Sequence, residues 1–193
     1  MYSACLEGTI VYHCAPTLVG LKAASLLSLS ASAYPALPAL VGAYDRLLSP
    51  SGLRLEILCR CDRRFLVLVY RPAALERHLA ARAARALLHA AGYAPEGSLA
   101  AWLDHLRGRL GGGGGFPHEI GLFLGYPPED VHGFLADPGD RCRLCGYWKV
   151  YHNVDETRAR FARFDRCRAA LLSRLEAGFT LSQLFGACRA PAA

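Results

Sequence analysis

Lysine is nearly missing from this chain: of 22 basic residues only Lys22 and Lys149 are lysine, and the rest are arginine. An ammonium is more compact than a guanidinium and can lose its proton when buried, so these two positions are singled out as places where lysine itself is needed. An unbroken apolar run long enough to cross a bilayer is also lacking. The longest uncharged stretch, Ala23 to Tyr44, is interrupted by Ser25, Ser28, Ser30, Ser32, Pro35 and Pro38, which excludes a membrane span. Met1 to Cys14 has no basic region followed by an apolar one, so no secretory leader is expected and the chain reads as cytoplasmic. The five consecutive glycines Gly111 to Gly115 are not followed by a phosphate-loop lysine, which makes them a flexible connector and not a nucleotide site. Position 122 is leucine, so His118 and Glu119 do not begin a zinc-peptidase motif.

What is present points to one compact unit. With 193 residues, 53% of them apolar and 20% charged, the chain can bury a full core as a single domain over residues 1–193, with the glycine connector at 111–115. Its eight cysteines are expected as reduced thiols, available for packing, metal binding or thiol chemistry. Cys5, Cys167 and Cys188 stand in no motif and read as packing residues. The net charge of +6 and pI of about 9.0 would suit an acidic partner. The arginines, however, are scattered among alanines without interleaved aromatics, which reads as solvated helix faces and argues against nucleic acid.

Local propensity lays out the elements. Gly8 to His13 is β-branched and aromatic enough for a strand, and Pro16 suits the first turn of a helix reaching about Leu29. A second helix is predicted between Leu37 and Leu48, ended by Pro50 and Gly52. Leu53 to Arg60 and Arg64 to Tyr70 form a hairpin around Cys61-Asp62-Arg63. One long helix is predicted from Pro72 to Gly92, with Leu75, Leu79, Ala83, Ala86 and Leu87 on its apolar stripe, and another from Leu99 to Leu110. Two short helices, His118 to Leu124 and Pro128 to Leu135, meet at Gly125-Tyr126-Pro127. A strand over Gly146 to Tyr151 leads to a helix reaching Ala177, with Asn153 and Glu156 as a capping pair and a core face of Phe161, Phe164, Cys167, Leu171 and Leu175. A short helix, Leu181 to Gly186, closes the chain. The sum is an α+β fold, helix-rich, with a small mixed sheet that includes the hairpin.

Three segments carry residues suited to chemistry. In His13-Cys14-Ala15-Pro16-Thr17 the predicted strand hands over to a helix at Cys14, where unpaired N–H groups and a nearby Lys22 would favour a thiolate nucleophile. The alternative is a small buried residue between two elements. In Phe116-Pro117-His118-Glu119 a histidine and a carboxylate stand at a helix start, fit for a base or a ligand, although capping and packing explain them equally. In Cys142-Arg143-Leu144-Cys145 two thiols have the spacing of a zinc knuckle, and a four-thiolate site would need Cys59 and Cys61 from the hairpin to complete it. The expectation is that the two pairs do not meet.

Taken together, His13-Cys14-Ala15-Pro16-Thr17 with Gly20 and Lys22, Val69-Tyr70-Arg71-Pro72, Pro117-His118-Glu119 through Gly125-Tyr126-Pro127 and Asp130-Val131, and Cys145-Gly146-Tyr147-Trp148-Lys149-Val150-Tyr151 resemble an uncharacterised bacterial family known only as a domain of unknown function and found largely in anaerobes. The resemblance spans nearly the whole chain. It transfers no activity and assigns no cofactor. The occurrence of such proteins near flavodoxins and iron-uptake proteins implies a link to redox or iron metabolism and partners of those kinds. The leading expectation is a thiol-dependent or metal-linked protein in which Cys14, Lys22, His118, Glu119 and Lys149 line one pocket. The competing one is a non-enzymatic interaction module, whose partner is an unspecified small molecule or protein.

Overall fold

The computed structural model describes residues 4–60, 63–112, 115–137 and 141–186. The chain opens with helix α1 (Ala4–Leu18), then strand β1 (Ala24–Ser30), helix α2 (Leu37–Leu48), strands β2 (Arg54–Arg60) and β3 (Arg64–Tyr70), and helices α3 (Pro72–Leu79), α4 (Arg82–Ala90) and α5 (Leu99–Gly111). Helices α6 (Ile120–Phe123) and α7 (Pro128–Ala136) precede a small hairpin of β4 (Leu144–Cys145) and β5 (Lys149–Val150), and helices α8 (Val154–Glu176) and α9 (Leu181–Phe185) end it.

The main sheet has the order β1-β3-β2, with both pairings antiparallel. β1 and β2 therefore run parallel to each other, joined through α2, but β3 lies between them. This is why an expected mixed sheet is in fact antiparallel in every pair, while the α+β class and the hairpin stand. Alternation along β3 builds two cores. Phe65, Val67 and Val69 face α1 and α2, whereas Leu68 and Tyr70 face α3 to α6. The sheet is the middle of three layers.

The largest correction concerns the first thirty residues. Gly8 to His13 belongs to α1 and not to a strand, and the expected helix from Pro16 to Leu29 is the end of α1, a turn and β1. Leu6, Ile10, Cys14 and Leu18, four apart, are all fully buried, so burial at helical spacing overrides the β-branched propensity of Thr9, Ile10 and Val11. In β1, Leu27 and Leu29 face inward while Ser28 is exposed, a period of two that only a strand satisfies. Gly20 ends α1 with φ of 81°, and Arg71 holds that end from across the sheet. Its Nε donates to the Thr17 carbonyl at 2.9 Å, and its other nitrogens donate to the carbonyls of Leu18 and Ser51. Cations at a helix C-terminus satisfy carbonyls that have no intrahelical partner.

Two smaller differences follow the same logic. The long helix from Pro72 to Gly92 is broken at Ala80 and Ala81. The break shifts the buried stripe by one residue, to Ala84 and Leu88. Asn153 precedes α8 with φ of 50° and makes no side-chain cap, so the expected capping pair with Glu156 is absent. Instead Glu156 accepts from Arg160 one turn along. The connector at 111–115 lies partly outside the described residues, as do Cys61 and Cys188.

Candidate ligand-binding site

The organising side chain is Trp148, carried in the turn between β4 and β5. Leu144 pairs with Val150 and Cys145 with Lys149, and Gly146 donates to the Trp148 carbonyl at 3.1 Å to close the turn. Gly146 is required there because a Cβ would meet the Phe161 ring. The indole, only 6% exposed, packs edge-on to Phe161 at 4.6 Å and stacks on Tyr126 at 5.1 Å. Its Nε1 donates to Asp130 Oδ2 at 2.8 Å.

Asp130 is buried at the first turn of α7 and is fully engaged: its Oδ1 accepts the backbone N–H of Tyr151 at 2.8 Å and of His152 at 3.0 Å. A carboxylate with three donors ties α7 to the far side of the β5 hairpin. Gly133, one turn later on α7, lets Tyr151 lie flat on the helix, since a Cβ there would be 2.6 Å from its Cγ.

Beside Trp148 opens a cavity of about 270 Å³, lined by Leu26, Ile120, Leu124, Tyr126, Val131 and Phe134 among others, with Phe116, His118, Asp130 and Lys149 also bordering it. Its lining is almost wholly apolar, and the ionisable groups it reaches besides the engaged Asp130 are His118, which is exposed and stacks edge-on to Phe134 at 5.1 Å, and Lys149, whose Nζ lies 5.5 Å from the centroid of the same ring. Gly121 keeps the wall thin: a Cβ there would be 3.0 Å from Val131 and 3.1 Å from Tyr126.

On the other side of Trp148 lies a second cavity of about 290 Å³, bordered by Lys22, His78, Arg160 and Arg163, with Gly20, Ala74 and Gly125 as small residues in its wall. The Lys22 ammonium sits 5.1 Å from the Tyr126 ring, and burial pushes it down to about 8.

Of the five residues expected to line one pocket, only His118 and Lys149 do so. Lys22 borders the second cavity. Glu119 is buried and turned elsewhere, accepting from Tyr93 Oη at 3.0 Å and ion-paired with Arg109, whose Nε is 3.1 Å away. Cys14 is not at a helix start: it is well inside α1 and fully buried. Burial pushes its thiol up to about 12, outweighing the opposite pulls of Lys22 and a hydrogen bond with Ser25, so the electrostatic ground for a thiolate is lost with the helix start. Cys142 and Cys145 stand on the β4–β5 hairpin, while Cys59, on β2, points its thiol toward the Leu110 carbonyl of α5 at 3.9 Å. Cys61 lies outside the described residues. Among the described residues no group of three or more histidine, cysteine, aspartate or glutamate side chains could hold a metal ion, and no helix is long and apolar enough to cross a membrane.

Sequence reasoning missed Trp148, Tyr126 and Phe134 as walls and His78, Arg160 and Arg163 as basic lining. Trp148 had a signal, as one of two tryptophans set beside one of two lysines. The basic residues of α3 and α8 had none, because nothing local separates them from solvated arginines. Compared with known proteins, residues 10–185 match a family model described as a protein of unknown function (DUF3793). No curated protein and no solved structure matches the chain.

Proposed function

The chain belongs to the DUF3793 family, and we propose that it is a small-molecule binding protein whose ligand lies along Trp148 in the apolar cavity with an acidic group at the Lys149 and His118 rim. The observation that carries this reading is the lining itself: apolar walls contributed by β1, α6, α7 and the β4–β5 hairpin, with two nitrogen-bearing side chains on one border. Concave apolar sites with a few convergent polar groups are the usual form of ligand pockets, and this one lies just below their usual range of roughly 300–1,000 Å³. Two of the three motif segments that stood out in the sequence, Phe116 to Val131 and Cys142 to Tyr151, contribute to its lining.

A thiol-dependent activity through Cys14 has two supporting neighbours, Lys22 and Ser25, but burial acts more strongly in the other direction. A link to redox or iron metabolism, with flavodoxin-like or iron-uptake partners, and an interaction role without a small ligand draw no specific support from this geometry. The binding reading is tested in a Trp102→Phe background, which leaves Trp148 as the one tryptophan. Octanoate should change its emission saturably, and Lys149→Gln should weaken octanoate while leaving octanol unaffected. Absence of a saturable change with either probe would overturn the reading.

A further inference from the structure

The second cavity carries an inference beyond the apolar-ligand reading. Its ionisable lining is entirely basic: Lys22 from the turn after α1, His78 from α3, and Arg160 and Arg163 from α8. None of its lining residues is a carboxylate, whereas Arg54, Arg158 and Arg168 each have an acid as ion-pair partner. Among the described residues neither Lys22 nor Arg163 has a carboxylate within ion-pairing distance. Arg160 is held at 3.0 Å by Glu156, one turn back on the same helix, and Glu129 is the acid whose field reaches His78. The Nε2 of His78 is buried with no hydrogen-bond partner.

This arrangement is costly by itself. An ammonium withdrawn from water without a carboxylate partner loses hydration that the ring of Tyr126 replaces only in part. Three separate parts of the chain bring these basic groups to one cavity, and a single multiply charged oxyanion would satisfy its cations together: guanidinium groups bind such oxygens bidentately, and an ammonium serves as a point charge. The walls set what the anion is attached to. Gly20, Ala23, Ala74 and Gly125 leave room, and Gly125 takes φ of 71° so close to Ala23 that a Cβ would lie 3.1 Å from that methyl. Trp148 and Phe164 add an apolar flank.

We propose that this cavity is a binding site for a phosphate-bearing small molecule, with Lys22, Arg160 and Arg163 taking the phosphoryl oxygens, His78 bordering them, and an apolar part of the ligand against Trp148. The probes are inorganic phosphate and phenyl phosphate, followed by calorimetry at neutral pH and by Trp148 emission in the Trp102→Phe background. Phenyl phosphate is expected to bind with one-to-one stoichiometry and to be displaced by inorganic phosphate. Lys22→Met and Arg163→Gln are each expected to weaken it at least about tenfold, whereas Arg85→Gln, an exposed arginine on α4 away from the cavity, leaves it unchanged. Circular dichroism confirms that each variant is folded. Phe134→Ala, which alters only the apolar cavity, should abolish the octanoate response and spare phenyl phosphate, so the two sites fail separately. No saturable binding at millimolar phenyl phosphate, or equal weakening by Arg85→Gln, would overturn the proposal.

Discussion

Asp130 accepts the indole N–H of Trp148 at 2.8 Å while its other oxygen accepts two backbone N–H groups, of Tyr151 and His152. One buried carboxylate thus fixes both the wall shared by the two cavities and the strand that presents Lys149. Asp130 stands in the first turn of α7, and its hydrogen bonds run to the hairpin and not to its own helix.

Asp130→Ala removes three charge-assisted hydrogen bonds and leaves three donors in the interior. A loss of about 3 kcal/mol is expected, read from urea midpoints, with a red shift of Trp148 emission as the indole loosens. Trp148→Phe, which leaves the backbone donors of Tyr151 and His152 satisfied, should cost less.

Among the described cysteines, Cys14 should be the last to react. Limiting iodoacetamide at neutral pH, followed by site-resolved mass spectrometry, is expected to label the exposed Cys5 and Cys145 first and to reach Cys14 only on a timescale set by unfolding. Labelling of Cys14 in the native protein at the rate of Cys5 would show that the thiol is accessible.

Lys22 should lower stability near neutral pH. Its folded value of about 8 lies below the ordinary 10.5, so the unfolded chain holds more protons between those limits. Stability then rises with pH across that window, and the penalty is fully present below about pH 8. Lys22→Met is therefore expected to stabilise the ligand-free protein at pH 7 by about 1–2 kcal/mol, a gain that shrinks toward zero above about pH 10.5. Chemical denaturation at intervals of pH measures it. A residue that weakens the fold and lines a cavity fits a binding role better than a structural one.

Gly133→Ala should force α7 and Tyr151 apart, because the new methyl would fall 2.6 Å from the ring. Overpacking of this kind costs roughly 1–3 kcal/mol, and the displaced β5 should also weaken octanoate binding. Thermal unfolding and the Trp148 titration together distinguish the two effects.

The sequence by itself determined those elements whose patterns are local and uncontested. Helix α2, the β2–β3 hairpin, α5, α7 and the course of α8 follow from apolar spacing, prolines at helix starts and glycines after helix ends, and the motif segments contained Lys22, His118 and Lys149, which border the two cavities. The first thirty residues were not legible by propensity, since Thr9 to Tyr12 favour a strand in isolation. Only burial against the sheet makes Leu6, Ile10, Cys14 and Leu18 a helical stripe and moves Cys14 from a helix start to the core. Tertiary structure alone decided the site. It set Trp148 between two cavities, turned Glu119 toward Tyr93 and Arg109, and gathered His78, Arg160 and Arg163 around Lys22. A charge on a helix face carries no local mark of what it will face, because that is fixed by elements distant in sequence and by the water they displace.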